Sequence, residues 1–227
     1  MAPLPPWVLA NYAKSVYSEP TPRIRHRFTT KRRDGEIVYH DLAAHLYWRT
    51  PAGGGSIPIL AIRGTVPTIF ENVARDLQQW PVWHPQLGIG PQGFSEGADA
   101  LYRAIADIRT AKGSRLLDLS PVIVGHSLGG ALAARVAALM LVNGLPAPRQ
   151  MALFNSPYPG GRKLRGILKK VPNFTHDRHV GDVVSDVESI FFVYVQPVPF
   201  NDVGLWTFPL QAHAIGNFTS EGIYRHA

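Results

Sequence analysis

The chain has 227 residues and 45% of them are hydrophobic, which is enough apolar material for one α/β domain with a sizeable core. No cysteine is present, so disulfide bonds and thiolate metal sites are excluded. The formal net charge is +7, which favours anionic partners.

Predicted helices and strands alternate along the chain. The first half of the chain predicts a short helix over 9–17, a strand or hairpin over 37–48, a buried strand over 57–62, and a helix that has Ser95 as its N-cap and ends at 112. The second half predicts a strand over 121–124, a buried helix over 131–142, strands over 151–154 and 173–176, and β-rich segments over 190–195 and 205–208. This alternation predicts an α/β fold with a mostly parallel central sheet and helices on both faces. No repeat or interdomain linker is visible, so residues 1–227 are expected to form a single domain, with 1–56 as its N-terminal helix and strand region.

Residues 1–10 contain three prolines and no basic residue, so they do not resemble a secretory signal peptide. No apolar stretch approaches the ~20 residues that are needed to span a bilayer. We therefore expect a protein that stays in the cytoplasm or is exported by a route without such a signal.

The sequence Gly125-His126-Ser127-Leu128-Gly129-Gly130 follows an apolar run and precedes an Ala-rich segment. It is a G-x-S-x-G pattern in the setting of a strand, a sharp turn and a helix, which is typical of a nucleophile elbow. The turn would present the Ser127 hydroxyl at a helix N-terminus, where backbone amides and the helix dipole favour negative charge. We therefore predict that Ser127 is a nucleophile. The alternative is a serine that merely caps the helix that follows.

A serine nucleophile needs a histidine as general base and a carboxylate that orients it, and in α/β-hydrolases both follow the serine in the chain. We predict Asp182 as the acid because it follows the end of a predicted strand, with Asp186 and Asp177 as alternatives. We predict His213 as the base because small and apolar residues flank it beyond the last strand-like segment. A surface carboxylate and a core histidine are the alternative interpretations.

The oxyanion of a tetrahedral intermediate requires hydrogen-bond donors. We assign one to the backbone N–H of Leu128, directly after the nucleophile. A second is predicted at the turn Arg63-Gly64-Thr65, where Thr65 offers both a backbone N–H and a hydroxyl group. This chemistry requires no metal ion and no organic cofactor.

The ordered series of these motifs, from about residue 57 to residue 218, resembles the class 3 lipases, an α/β-hydrolase family that includes fungal triacylglycerol lipases and phospholipases A1. The matching segments are Arg63-Gly64-Thr65, Asp76-Leu77-Gln78-Gln79-Trp80, Gly93-Phe94, Gly125-His126-Ser127-Leu128-Gly129-Gly130-Ala131, Phe154-Asn155-Ser156-Pro157, Asp182-Val183-Val184 and His213. The resemblance implies a catalytic triad of Ser127, Asp182 and His213, and an oxyanion-hole hydroxyl from Thr65. Ile62 in place of an aromatic residue and Ser185 in place of a proline depart from the family pattern.

Residues 68–93 lie where this family carries its lid. Their apolar side chains include Phe70, Trp80, Trp83 and Leu87, which suit acyl chains or a bilayer interface. We predict the three aromatic residues of this set as substrate-binding residues. The alternative is that they fill a small core beneath the loop.

Much of the positive charge is concentrated in two clusters. They are Arg23, Arg25, Arg27, Lys31, Arg32 and Arg33, and Arg162, Lys163, Arg165, Lys169 and Lys170. Basic clusters attract nucleic acids and anionic lipid head groups alike, but the rest of the sequence predicts an esterase. We therefore expect contact with anionic membranes rather than with nucleic acid, unless both clusters are simply solvated faces.

Together these observations predict a serine carboxylic-ester hydrolase, a lipase or a phospholipase A, that acts on lipid esters through an acyl-enzyme on Ser127. One alternative is an esterase or thioesterase for soluble substrates. The other is a non-catalytic protein that binds membranes or nucleic acid on a hydrolase scaffold.

Overall fold

The computed structural model describes residues 2–18, 24–31, 37–50, 55–64, 81–180, 201–205 and 214–219. The helices in these ranges are α1 (Pro6–Ser18), α2 (Gln92–Ala106), α3 (Leu128–Val142) and α4 (Arg162–Leu168). The strands are β1 (Ile24–Lys31), β2 (Ile37–Arg49), β3 (Ile57–Ile62), β4 (Pro81–His84), β5 (Gly88–Pro91), β6 (Val122–His126), β7 (Gln150–Phe154), β8 (Phe174–Val180) and β9 (Asn201–Leu205). In this part of the chain, no helix has both the length and the apolar character that crossing a membrane requires.

Seven strands form one sheet in the order β1-β2-β3-β6-β7-β8-β9, and β4 and β5 form a separate hairpin. In this sheet β1 is antiparallel to β2 and β2 to β3, whereas β3, β6, β7, β8 and β9 are parallel to one another. Parallel strands end at the same edge of a sheet, and ligands of open α/β sheets bind there. The carboxyl ends of β3, β6, β7 and β8 therefore lie side by side.

Strand β3 shows how the sheet separates two cores. Its side chains alternate between the faces, as the period of a strand requires. Leu60 and Ile62 pack with side chains of α2, α3 and α4, whereas Ile59 and Ala61 pack with α1 and Phe218. The prediction of a mostly parallel sheet with helices on both faces is thus confirmed.

Helix α1 covers the second of these faces together with a 3-10 turn, Ile215–Phe218. Leu9 and Ala13, one helical turn apart, are fully buried against the sheet. Asn11 Nδ2 donates a hydrogen bond to the backbone oxygen of Thr219 at 3.3 Å. Two segments that are 208 residues apart in the sequence therefore pack together on one face.

Most predicted elements are confirmed, although several begin or end a few residues away from the predicted position. The confirmed elements are the helices at 9–17 and 131–142 and the strands at 37–48, 57–62, 121–124, 151–154 and 173–176, of which 37–48 is one long strand. The β-rich segment predicted at 190–195 lies outside the described residues. The segment predicted at 205–208 overlaps the end of β9, which begins at residue 201.

The prediction for α2 is wrong at both ends. The helix begins three residues before Ser95, whose hydroxyl donates to the Pro91 carbonyl oxygen at 2.9 Å inside the first turn instead of capping it. The helix ends at Ala106 and not at residue 112. The apolar spacing continues past this end because Ile108 packs against the core from the turn that follows.

The β4–β5 hairpin was not predicted, because strands of four residues rich in proline and glycine carry no clear periodicity. Its turn is organised by His84, whose Nδ1 accepts hydrogen bonds from the N–H groups of Gln86 at 3.2 Å and Leu87 at 3.1 Å. The Nε2–H of His84 donates to Asp99 of α2 at 3.1 Å. Leu87 is fully buried in the core, so the interpretation that it belongs to an exposed apolar surface is wrong.

The buried side chain of Arg135 in α3 lies between the hairpin and the core. It is fully buried, and it donates to the Pro159 carbonyl oxygen at 2.7 Å and to Ser95 Oγ at 2.8 Å. A Cβ added at Gly90 of β5 would collide with the guanidinium group, so the strand passes directly over it. One buried side chain therefore joins the hairpin, α2 and the segment that leads to α4.

Helix α3 approaches the end of β3 closely at its first turn. A Cβ at Gly129 would collide with the backbone oxygen of Ile62 and would lie 2.6 Å from the carbonyl carbon of Arg63. These are backbone atoms of a central strand, so they cannot move aside as a flexible side chain could. In contrast, a Cβ at Gly166 of α4 would meet no atom within 4 Å.

We expect Gly129→Ala to lower the free energy of unfolding by about 2–3 kcal/mol, the usual cost of overpacking a rigid site. Gly166→Ala is the matched control and should raise the free energy of unfolding by about 0.5–1 kcal/mol, because alanine has a higher helix propensity than glycine. Urea denaturation of both variants checks this, and similar effects of the two substitutions would contradict the close packing of α3 on β3.

Candidate active site

Ser127 is the single residue between β6 and α3. Its backbone has φ 56° and ψ −136°, a conformation that residues other than glycine rarely adopt. The Ser127 N–H donates to the Phe154 carbonyl oxygen at 3.0 Å, and the Gly130 N–H donates to the Ser127 carbonyl oxygen at 2.9 Å. The residue is 3% exposed. Strain that is held in this way by the surrounding structure is what a nucleophile elbow requires.

One predicted oxyanion-hole residue, Leu128, directly follows Ser127. Leu128 is the first residue of α3, so its N–H has no acceptor within the helix and lies at the positive end of the helix dipole. A Cβ at Gly64 would be 3.0 Å from the Ser127 Cβ and 2.6 Å from the His126 backbone oxygen. Gly64 is thus adjacent to Ser127. Thr65, the next residue, lies outside the described residues.

Tyr17, the second-to-last residue of α1, is a member of the site that the sequence analysis missed. Its hydroxyl accepts a hydrogen bond from the Gly64 N–H at 3.0 Å and lies 3.0 Å from the Nδ1 of His126. The Tyr17 and His126 rings meet edge to face, with centroids 5.7 Å apart. Sequence offers no signal for this role, because Tyr12 of the same helix looks equivalent in the pattern.

Burial raises the pKa of Tyr17 above the ordinary value near 10, against smaller opposing effects of the Gly64 hydrogen bond and the Arg63 charge. Although part of the side chain is exposed, its hydroxyl lies between Gly64 and His126. The hydroxyl therefore keeps its proton throughout the physiological pH range.

The predicted acid, Asp182, and its alternative Asp186 lie outside the described residues. Strand β8 ends at Val180, two residues before Asp182, at the same edge of the sheet as the elbow. The second alternative, Asp177, is 1% exposed and lies opposite Phe154 within the pairing of β8 with β7.

The predicted base, His213, also lies outside the described residues. The described chain resumes one residue later and enters the 3-10 turn that ends at Phe218. Phe218 is fully buried, and its ring lies 5.2 Å from that of Phe154 and 4.5 Å from that of His179. The segment that follows His213 is therefore fixed beside the ends of β7 and β8.

Two of the three predicted substrate-binding residues, Phe70 and Trp80, lie outside the described residues. The third, Trp83, is 67% exposed on β4, opposite Ile89 of β5, which is 38% exposed. The Nζ of Lys163 in α4 lies 5.6 Å from the centroid of the Trp83 ring. Trp83 thus lies on an outer surface beside the basic helix α4.

The raised pKa of Tyr17 predicts a pH-dependent stability difference between the wild type and Tyr17→Phe. Below pH 10 the phenol is protonated in both the folded and the unfolded state, so the difference should be constant. Above pH 10 the unfolded tyrosine ionises while the folded one does not, so the advantage of the wild type should shrink by about 1.4 kcal/mol per pH unit. Urea denaturation at pH 8, 10 and 11 measures the stability difference between the two proteins. A difference that stays constant up to pH 11 would contradict the burial of the Tyr17 hydroxyl.

Known structures share the fold of this chain. A nonglycosylated LIP2 lipase from Yarrowia lipolytica is 18% identical, with 86% of this chain and 77% of that chain covered and a TM-score of 0.59. A lipase from Rhizopus microsporus var. chinensis is 15% identical, with coverages of 87% and 71% and a TM-score of 0.55. These similarities show the α/β-hydrolase fold. A search of curated proteins gives no significant match.

The family comparison covers more than half of the sequence. The profile of class 3 lipases matches residues 59–192, from β3 to beyond the end of β8. This range contains the turn at Gly64, the elbow at Ser127 and the predicted acid Asp182. The chain therefore belongs to the class 3 lipase family of lipid ester hydrolases.

Proposed function

We propose that the protein hydrolyses carboxylic esters of lipids through an acyl-enzyme on Ser127. The observation that carries this proposal is the strained backbone of Ser127 at the N-terminus of α3, with the turn at Gly64 packed against its side chain. A serine that only capped a helix would not need a positive φ or a second chain segment beside it.

In the proposed first step His213 takes the proton of the Ser127 hydroxyl, and the oxygen attacks the ester carbonyl carbon. The oxyanion that forms is held by the N–H of Leu128 and by Thr65. As the intermediate collapses, the bond to the alcohol breaks and His213 protonates the leaving oxygen. Water, activated by the same histidine, then attacks the acyl-enzyme and releases the fatty acid.

The assignment of Asp182 and His213 is supported by the elements that flank them. Asp182 follows the end of β8 by two residues, at the edge of the sheet where β6 ends. His213 directly precedes the segment that Phe218 fixes beside Phe154. Asp177 suits the role less well, because it lies within a strand and not beyond its end.

We expect Ser127→Ala to lower kcat by roughly 10⁴-fold or more, because the nucleophile is lost while substrate binding remains. Ser156→Ala is the matched control: Ser156 is also a buried serine near the start of α3, but its hydroxyl only donates to the Pro157 carbonyl oxygen at 3.0 Å. The control should keep kcat within about twofold. Near-full turnover by Ser127→Ala would refute the acyl-enzyme.

The same pair of variants can identify the lipid class. Vesicles of mixed anionic phospholipids and an emulsion of triacylglycerol are incubated with each protein, and the products are identified by mass spectrometry. Fatty acid and lysophospholipid formed from vesicles would support a phospholipase A, and release from triacylglycerol alone would support a lipase. Turnover of soluble esters only would instead favour an esterase or thioesterase.

We further propose that the protein contacts anionic membranes through the outer face of the β4–β5 hairpin and helix α4. Trp83 and Ile89 form an exposed cross-strand pair on this face, and tryptophan is favoured at membrane interfaces. The adjoining basic residues are all exposed, and they are Arg162, Lys163, Arg165, Lys169 and Lys170. Since no acidic residue occurs between positions 155 and 176, their charge is not offset locally. Each basic residue close to an anionic membrane surface contributes about 1 kcal/mol to the free energy of membrane binding.

The membrane contact is tested by vesicle cosedimentation. Replacement of Trp83 by serine should weaken binding to anionic vesicles about tenfold, because an interfacial tryptophan is lost. Trp48→Ser is the matched control, because Trp48 is 43% exposed but lies on β2 of the seven-stranded sheet and not on the β4–β5 hairpin. Equal binding by both variants, or equal binding to zwitterionic vesicles, would exclude this surface.

A further inference from the structure

We propose that Tyr17 is a positioning residue for catalysis, whose hydroxyl group sets the spacing between the oxyanion turn at Gly64 and the nucleophile elbow at His126. The inference rests on the proposed function, because it takes Ser127 to be the nucleophile. Tyr17 acts through its two neighbours and does not touch the reacting atoms.

The hydroxyl of Tyr17 joins two segments that are distant in sequence from α1 and from each other. Gly64 is 47 residues away and His126 is 109 residues away, yet both lie 3.0 Å from the same oxygen atom. Helix α1 is itself fixed, because its apolar side is buried against the sheet. The oxygen is therefore a rigid reference point for both segments.

The direction of the two hydrogen bonds follows from the chemistry of the partners. The Gly64 N–H can only donate, so the Tyr17 oxygen accepts this bond. The neutral hydroxyl can still donate its own hydrogen, and the acceptor beside it is the Nδ1 of His126. This arrangement fixes the neutral tautomer of His126 that carries its proton on Nε2. The residue directly before the nucleophile is thus held in one orientation.

The bond to Gly64 also decides which amide can serve the oxyanion. Because the Gly64 N–H is directed to Tyr17, the second donor has to come from the next residue, Thr65. The Arg63–Gly64 peptide unit, which carries this N–H, directly precedes the unit that carries the Thr65 N–H, so holding the first restricts the orientation of the second. A Cβ at Gly64 would be 2.7 Å from the Tyr17 hydroxyl and 3.0 Å from the Ser127 Cβ, so the turn is confined between them.

Loss of the hydroxyl should therefore affect the transition state more than the bound substrate. Without it the Arg63–Gly64 peptide unit is held less tightly and the next unit can shift with it, and an oxyanion donor displaced by about 1 Å costs on the order of 10²-fold in rate. Binding of the acyl chain and head group does not depend on this peptide. A defect that lies in kcat and leaves KM unchanged is thus the signature of the proposed role.

The experiment compares Tyr17→Phe with Tyr47→Phe. Tyr47 is the matched control because its hydroxyl bonds Ser15 of the same helix at 2.6 Å but contacts neither Gly64 nor His126. We expect Tyr17→Phe to lower kcat by about 10- to 100-fold with KM within twofold, and Tyr47→Phe to keep both constants within twofold. The rate at which a phosphonate labels Ser127, measured by mass spectrometry, should fall in parallel with kcat.

A second pair of variants tests the same bond from the His126 side, independently of whether Tyr17→Phe folds. His126→Asn keeps an acceptor near the position of Nδ1, whereas His126→Leu removes it. The asparagine variant should recover most of the kcat that the leucine variant loses.

Three outcomes would overturn the inference: equal kcat for Tyr17→Phe and Tyr47→Phe, a loss confined to KM, or equal loss in the two His126 variants. Each can occur while Ser127→Ala remains inactive, and in that case only the role of Tyr17 is rejected. If Ser127→Ala itself turns over substrate, the proposed function fails first.

Discussion

The close approach of three backbone segments, at Gly64, Ser127 and Gly129, is the constraint on which the rest of this structure depends. A side chain at either glycine would collide with backbone atoms or crowd the elbow, so β3, β6 and α3 have one relative arrangement. That arrangement forces Ser127 into a positive φ, at a cost of roughly 1–3 kcal/mol. The cost is tolerable because α3 is buried at every residue from 129 to 140, which stabilises the fold far more.

Around this centre, parts of the site are completed by segments from far along the chain. Helix α1 brings the hydroxyl of Tyr17 to the oxyanion turn. The 3-10 turn at residues 215–218 fixes the chain next to the predicted base through Phe218 and Phe154. Both segments cover the face of the sheet opposite α3, so the two faces have different tasks. One face carries α3, and the other carries the segments that contact Gly64 and that flank the predicted base.

The features that could be predicted from the sequence are those that depend on residues close together in the chain. The elbow was found because its glycines, the strand before it and the helix after it lie within one continuous stretch, and the family profile supports the same segment. The errors arose where tertiary packing decides. Leu87 is carried into the core by a hairpin without periodicity, and Ser95 lies inside a helix rather than at its cap. The contacts of Tyr17 with Gly64 and His126 are encoded by no local pattern, and Asp182 and His213 stay predictions.

The pairing of α1 with the last described turn also has a consequence for the order of events during synthesis. Thr219 is synthesised 208 residues after its partner Asn11. The contact between them cannot form until the whole intervening chain has been made. A nascent or prematurely terminated chain therefore holds an elbow sequence whose supporting face is still incomplete. The face of the sheet opposite α3 is in this sense completed only when the segment that carries Phe218 has left the ribosome.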